Sequence, residues 1–227
     1  MSKLKLRPEF GKTLYAGYGR HARYSRKVDR LNRMPLLSNF VREHADAPSF
    51  ATREAMWDFL AEQTVGRIDY LEFGVHEGRS ILHWAKRNTD VESRFVGFDT
   101  FTGLPEDWSQ GYPRGHFDTG GRPPSTDDPR VRFVKGLFQD TLPDFLAGFA
   151  PRSRLIVHND SDLYSSTLFC LTTLDRIIAP GTIVIFDEFG DVMHEFRALQ
   201  DYLASFRRKV EVLCSHDNFF TMAVVIV

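Results

Sequence analysis

Residues Tyr70–Ser80 read YLEFGVHEGRS, with three apolar side chains among the first four residues, then Gly74, three bulkier residues, Gly78 and a serine. The run predicts a buried strand ending at Glu72-Phe73-Gly74, a tight turn, and a helix opening near Arg79-Ser80. Glycines at 74 and 78 permit dihedrals and close approaches that a Cβ forbids. The amides opening the helix would face the crevice beyond the strand, a favourable place for a carboxylate or phosphate.

Outward from this turn the chain alternates. The β-rich runs RIDYLEFG, RFVGFD, VRFVKG, RLIVHND and TIVIFDE are separated by the helical stretches SILHWAKRN, LPDFLAGF and SSTLFCLTTLDRII. Continuous apolar strands alternating with helices predict an α/β fold, a Rossmann-like parallel sheet covered on both faces. The end differs: after VMHEFRALQDYLASF, the runs KVEVLCS and FFTMAVVIV are joined by HDN, so they must pair antiparallel. Upstream, FATREAMWDFLAEQT reads as a helix capped by Thr52 or Ser49, with Ala55, Met56, Phe59 and Leu60 on one face. PLLSNFVREHA, from Pro35, reads as a short amphipathic helix opening at its proline. The expected organisation is a basic N-terminal arm over residues 1–48 and one domain over 49–227.

The 227 residues can bury a real core, and 42% hydrophobic with 26% charged residues excludes a wholly disordered chain. Net charge is −1, but residues 1–33 hold ten Lys/Arg against Glu9 and Asp29. This arm, with Tyr15, Tyr18 and Tyr24, suits a solvated or dimer-contacting segment. A lid over an anionic acceptor, or contact with nucleic acid or a membrane surface, are its sharper readings. Nucleic acid is not the expected partner of the domain, and a homodimer is the protein partner that the arm allows. Cys170 and Cys214 lie in apolar runs without CxxC spacing and read as reduced core residues. With no apolar leader and no apolar run near ~18 residues, the expectation is a cytoplasmic protein without a transmembrane segment.

One stretch breaks the rhythm. Thr100–Arg130 carries five Gly and five Pro with little periodicity. Loops beyond ~15 residues are usually lids, binding loops or disordered. Trp108, Tyr112, His116 and Phe117 favour an ordered loop on the substrate side.

The next strand ends in Asp99, 25 residues after Gly74. An acid there can accept hydrogen bonds from both ribose hydroxyls, as in doubly wound nucleotide sites. The dinucleotide fingerprint G-x-G-x-x-G fails at His76 and Arg79, and no Gly-Lys-Ser/Thr follows for a P-loop. A looser E-x-G-x-x-x-G suits a ligand with an amino-acid tail, such as S-adenosylmethionine (SAM). HNDSDLYSST and FDEFGD follow the fourth and fifth runs and bring Asp160, Asp187 and Glu188 to the same edge. Clustered carboxylates repel unless a cation or proton offsets them, and oxygen-rich sites suit Mg²⁺. The plainer readings stand beside this: Asp162 caps the helix near Tyr164, Asp160 touches a ligand ammonium, and Glu188 holds a loop amide. His158, His76 and His194 are candidate bases that spacing does not separate from structural histidines.

LEFGVHEGRS, VGFDTFTGLPEDW, VKGLFQDTLP, HNDSDLYSST and PGTIVIFDEF together resemble the class I SAM-dependent O-methyltransferases of the macrocin/mycinamicin type, from about Tyr70 to Val227. The resemblance implies a seven-stranded sheet with an antiparallel last strand, SAM as cofactor, and Mg²⁺ held by Asp160, Asp187 and Glu188. It implies an acceptor hydroxyl on a sugar or glycosylated small molecule. Glu72, Gly74, Val75, Gly78 and Ser80 would serve the methionine end, and Asp99, Thr100 and Phe101 the ribose side. Gly136, Phe138 and Gln139 would border the adenine, and Asp160 the transferred group. Asp160 and His158 are the expected catalytic pair. Two departures stand out: Asp187-Glu188 replaces an Asp-Asp pair, and Asn159 replaces an apolar residue. A non-catalytic SAM- or nucleoside-binding module, an NAD-linked oxidoreductase and a nucleotide-sugar transferase remain the alternatives.

Overall fold

Six consecutive buried residues, Ile68–Phe73, form the central strand of the sheet in the computed structural model, which describes residues 27–108 and 111–227. Tyr15, Tyr18, Tyr24 and most of the arm's basic residues lie outside that range. In chain order the strands are β1 (Ser49–Phe50), β2 (Ile68–Phe73), β3 (Arg94–Asp99), β4 (Val131–Lys135), β5 (Arg154–Asn159), β6 (Ile183–Phe186), β7 (Val210–His216) and β8 (Thr221–Ile226). They lie in the order β1-β7-β8-β6-β5-β2-β3-β4. β8 is antiparallel to both β6 and β7, and every other pairing is parallel. The parallel sheet and the reversed last strand agree with the expectation. The strand beyond seven is β1, two residues paired with Ser215 and His216 and too short to leave a periodic signal.

Alternate residues of each strand feed opposite layers. Leu71, Phe73, Val96, Phe98 and Val157 join one apolar cluster, while Tyr70, Phe95, Ile156 and Ile185 join the other. Burial on both faces is why these strands read as unbroken apolar runs. Fully burying each such side chain stabilises the fold by about 1.5–3 kcal/mol. Cys170 and Cys214 are buried and unpaired, as expected.

The helices are α1 (residues 27–43), α2 (Arg53–Glu62), α3 (Arg79–Arg87), α4 (Phe138–Ala147), α5 (Tyr164–Leu174) and α6 (Glu195–Phe206). Thr52 caps α2, its Oγ1 accepting the Ala55 N–H at 3.1 Å. α1 runs through Pro35 instead of opening there. The bond that Pro35 cannot donate would have gone to the Leu31 carbonyl, on a residue exposed to water. Phe40 of α1 packs its ring 5.2 Å from that of Phe189, so the last turns of α1 are part of the core's cover. Among the described residues, no helix is long and apolar enough to cross a membrane.

The chain leaves β2 toward β3 and β4 on one flank, whereas β5 pairs on the other. The strand order therefore reverses between β2 and β5, and doubly wound sheets open their ligand crevice at such a point.

Candidate active site

Gly74 follows β2 with φ of +92°, and a Cβ built there would lie 1.7 Å from the backbone oxygen of Asp160. The two strand ends thus touch backbone to backbone, joined by the Asp160 N–H donating to the Phe73 carbonyl at 2.9 Å. Beyond the turn, Asp99 acts as a clamp. Its Oδ2 accepts the N–H groups of Val75 and His76, both at 2.8 Å, and its Oδ1 accepts that of Phe101 at 2.7 Å. The turn's own Val75 and His76 amides are therefore satisfied by Asp99, which fixes the turn while keeping its place on the cavity wall.

A cavity of about 410 Å³ opens over these strand ends. Of the residues expected at a cofactor, Gly74, Asp99, Thr100, Phe138, Gln139 and Asp160 line it. Val75 and Phe101 are core residues instead, and Glu72 and Ser80 are buried beneath it. Gly78 and Gly136 stay outside the wall and shape backbone: Gly78 opens α3 at φ +80°, and the Gly136 N–H donates to the Asp99 carbonyl at 3.0 Å. Strand pairing sets Glu72 opposite His158. Both side chains therefore leave the same sheet face, where the Trp57 ring lies 5.8 Å from that of His158. His158 is fully buried there and does not reach the cavity, against its expected place beside an acceptor.

Carboxylate oxygens of Asp160, Asp187 and Glu188 all lie within 4.8 Å of one another. Asp160 and Glu188 face the cavity, with Asp187 buried behind them. Arg53, at the start of α2, answers part of this charge, its Nη1 2.6 Å from Asp187 Oδ2 and its Nη2 3.4 Å from Glu188 Oε1. Burial works against a charge on Arg53, yet Asp187, Glu188, Asp160 and Glu195 hold its pKa above the ordinary value. Burial, then the neighbouring acids, pushes Asp160 and Glu188 well above the usual carboxylate range. Asp187 Oδ1 and Glu188 Oε2 receive no hydrogen bond, whereas Asp187 Oδ2 meets the Arg53 guanidinium. Buried oxygens without donors, in an all-oxygen set, fit a hard divalent cation such as Mg²⁺.

Asp162 does not cap α5. The Tyr164 N–H donates to His194 Nδ1 at 3.1 Å, and Asp162 lines the cavity with its pKa pushed up to about 7 by burial and by Asp187. Asn159 donates to Glu195 Oε1 at 2.9 Å, and Glu195 Oε2 accepts the Glu188 N–H at 2.9 Å. The unexpected amide thus holds the acid that fixes the end of β6.

The loop from 100 to 130 folds back on itself, with Leu104 and Gly115–His116 exchanging backbone bonds of 2.9 Å. Trp108, Tyr112 and Phe117 line the cavity. The Tyr112 ring lies 4.9 Å from that of Trp108 and 5.9 Å from that of Phe117.

Arg53, Glu195 and Phe220 escaped the sequence. Only Arg53 left a signal, a cation in the first turn of a helix, where the dipole favours acids.

A methyltransferase-domain profile matches residues 71–189, just over half of the chain, from β2 past the acidic cluster. The chain belongs to the methyltransferase-domain family. It is 29% identical over 159 residues to the 8-demethyl-8-(2,3-dimethoxy-alpha-L-rhamnosyl)-tetracenomycin-C 4'-O-methyltransferase of Streptomyces olivaceus, covering 57% of this chain and 58% of that one. It is 34% identical over 76 residues to the mycinamicin III 3''-O-methyltransferase of Micromonospora griseorubida, covering 31% and 28% of the two chains. The chain thus spans less than two thirds of the length of either relative. The crystal structure of the calicheamicin methyltransferase CalS11 shares the fold at 22% identity and a TM-score of 0.56, over 88% of this chain and 92% of that one.

Beneath the cavity, the methyltransferase domain holds a buried polar network. The Tyr70 hydroxyl bridges Glu72 Oε2 at 2.5 Å and His158 Nδ1 at 2.6 Å, and His158 Nε2 lies 3.5 Å from Asp187 Oδ1. Burial raises the Glu72 pKa from 4.5 to about 7 despite help for its charge from His158 and Tyr70. Because the folded value is the higher one, this contribution to stability is complete below pH 4.5 and is lost as pH rises through about 7. The difference is worth at most about 3 kcal/mol. Calorimetric melting should fall between pH 5 and pH 8, and Glu72→Gln should flatten that slope and melt higher at pH 8. Parallel slopes in the two proteins would show that Glu72 is not the group responsible.

Proposed function

We propose that the chain transfers a methyl group from SAM to a hydroxyl oxygen of a sugar or glycosylated small molecule, with Mg²⁺ at the acidic cluster. The observation that carries this reading is the meeting, in one cavity, of the Asp99-clamped glycine turn and the carboxylates after β5 and β6. Gly74 lets the ends of β2 and β5 meet at the cavity, since a Cβ there would strike the Asp160 carbonyl. One relative is named as an O-methyltransferase of a rhamnosyl-tetracenomycin and the other as one of mycinamicin III, which supports the acceptor class.

Gly74, Asp99 and Thr100 would hold the amino-acid and ribose parts of SAM, with Phe138 and Gln139 beside the base. When bound, SAM supplies an electrophilic methyl on a sulfonium sulfur. A metal held by Asp160, Asp187 and Glu188 would supply a positive charge that lowers the pKa of a hydroxyl. The cavity walls bring the two reactants together and keep water out, which accounts for much of the acceleration. Asp160 is the carboxylate on the cavity wall that faces the acceptor, placed to take the hydroxyl proton when ionised. His158, behind Asp187, is a positioning residue. Trp108, Tyr112 and Phe117 offer flat faces to the C–H side of a pyranose. Four wall acids, Asp99, Asp160, Asp162 and Glu188, against Arg53 favour an uncharged acceptor. We place residues 49–227 as the catalytic domain, 1–48 as its accessory arm, and the reaction in the cytoplasm.

The test is calorimetric titration with SAM, followed by transfer of a labelled methyl to a rhamnosyl glycoside and to its aglycone. Label on the sugar of the glycoside alone is expected. No SAM binding would sink the reading, and SAM binding without transfer to any hydroxyl would favour a non-catalytic module.

A further inference from the structure

Arg53 is far in sequence from every other charged residue of the acidic cluster. It enters as the first residue of α2, directly after the Thr52 cap. Its Nη1 and Nη2 span Asp187 and Glu188, two of the three carboxylates that come within 4.8 Å of one another. A third of its side chain remains exposed (32%), against 1% for Asp187 and 9% for Glu188. One end of the pair is thus immobile, and the other is a long side chain with room to leave. A guanidinium and a divalent cation also seek the same carboxylate lone pairs.

We propose that Arg53 is an internal counter-cation of the acidic cluster that a divalent metal must displace, so that arginine and metal occupy Asp187 and Glu188 alternately. The inference rests on reading Asp160, Asp187 and Glu188 as a cation site. Alone, the cluster would gather buried like charges that repel one another. Arg53 bridges Asp187 and Glu188 and holds the two side chains in place before any metal arrives. That readiness weakens metal affinity, because the arginine contacts are surrendered on binding.

Two measurements on the full chain without SAM test this. The first is titration with Mn²⁺, read by calorimetry, for the wild type and Arg53→Gln. The variant should bind Mn²⁺ at least tenfold more tightly. The second uses the wild type alone: phenylglyoxal labelling mapped by peptide mass spectrometry, with and without saturating Mn²⁺. Labelling of Arg53 should rise at least severalfold with metal, while that of Arg130, held by Asp128 and by backbone carbonyls, stays constant. Equal or weaker Mn²⁺ binding by Arg53→Gln overturns the inference, as does unchanged or reduced labelling of Arg53 in a wild type that binds Mn²⁺. Absence of Mn²⁺ binding in both proteins overturns the cation-site reading itself, and this inference with it.

Discussion

Gly74→Ala is expected to abolish SAM binding and to destabilise the fold by more than about 4 kcal/mol, beyond the range of ordinary substitutions. The new methyl would stand 1.7 Å from the Asp160 carbonyl oxygen, at a φ of +92° that side chains rarely adopt. Nothing nearby can yield. Gly74 is tied to Phe98 by a backbone bond of 3.0 Å, and Asp160 to Phe73 by one of 2.9 Å, so β2, β3 and β5 would have to part. Gly111→Ala is the control, with φ +112° but open space around it. It should cost only the backbone strain, roughly 1–2 kcal/mol. Denaturant unfolding and SAM calorimetry on both variants decide the matter. A Gly74→Ala protein binding SAM within threefold of wild type would show that the strand ends separate more easily than their contacts indicate.

The sheet was legible because burial on both faces leaves continuous apolar runs, and β3 spans the same residues as RFVGFD. The glycine turn was legible because steric demand leaves glycine where nothing else fits. What escaped depends on side-chain direction or on distance along the chain. His158 lies one residue before the end of β5 at the right edge, but its pairing with Glu72 turns it into the layer beneath α2. Period-two alternation already set it on the same face as Ile156 and apart from Val157, a constraint that proximity to the edge does not reveal. Glu195 looked like an ordinary acid in the first turn of a helix. Its burial and its grip on Asn159 and the Glu188 amide follow only from the docking of α6. α4 opens at Phe138, earlier than LPDFLAGF suggested, because Pro143 lies in its second turn and forfeits a single backbone bond.

The site therefore has two mechanically different halves. The turn half is backbone, with Gly74 against Asp160 and three amides on Asp99, and it tolerates little change of shape. The acid half is side chains on rigid strand ends, held in an unfavourable concentration of like charge by Arg53, Glu195 and the His158 network. Stability and activity should separate between them, since groups poised for chemistry are often destabilising where they sit.

Asp160→Ala and Asp187→Ala are accordingly expected to abolish methyl transfer, lowering kcat by 10³-fold or more, while leaving SAM bound. The magnitude combines loss of proton transfer, about 10²–10⁴-fold, with loss of the cation site. For Asp187→Ala, SAM affinity should stay within about threefold of wild type, because Asp187 is 1% exposed and forms no part of the cavity wall, so only chemistry is reached through it. Asp160→Ala removes a wall residue and should weaken SAM by no more than about tenfold. Its melting temperature should hold or rise, because burial and the charges of Asp187, Glu188 and Asp162 already disfavour ionised Asp160 in the folded protein. Single-turnover transfer of labelled methyl, SAM calorimetry and melting on the same samples separate these effects. Near-normal turnover in both variants would remove the carboxylates from the chemistry. A fall in melting temperature matching the fall in activity would make Asp160 a structural acid, leaving proton transfer to another group on the wall.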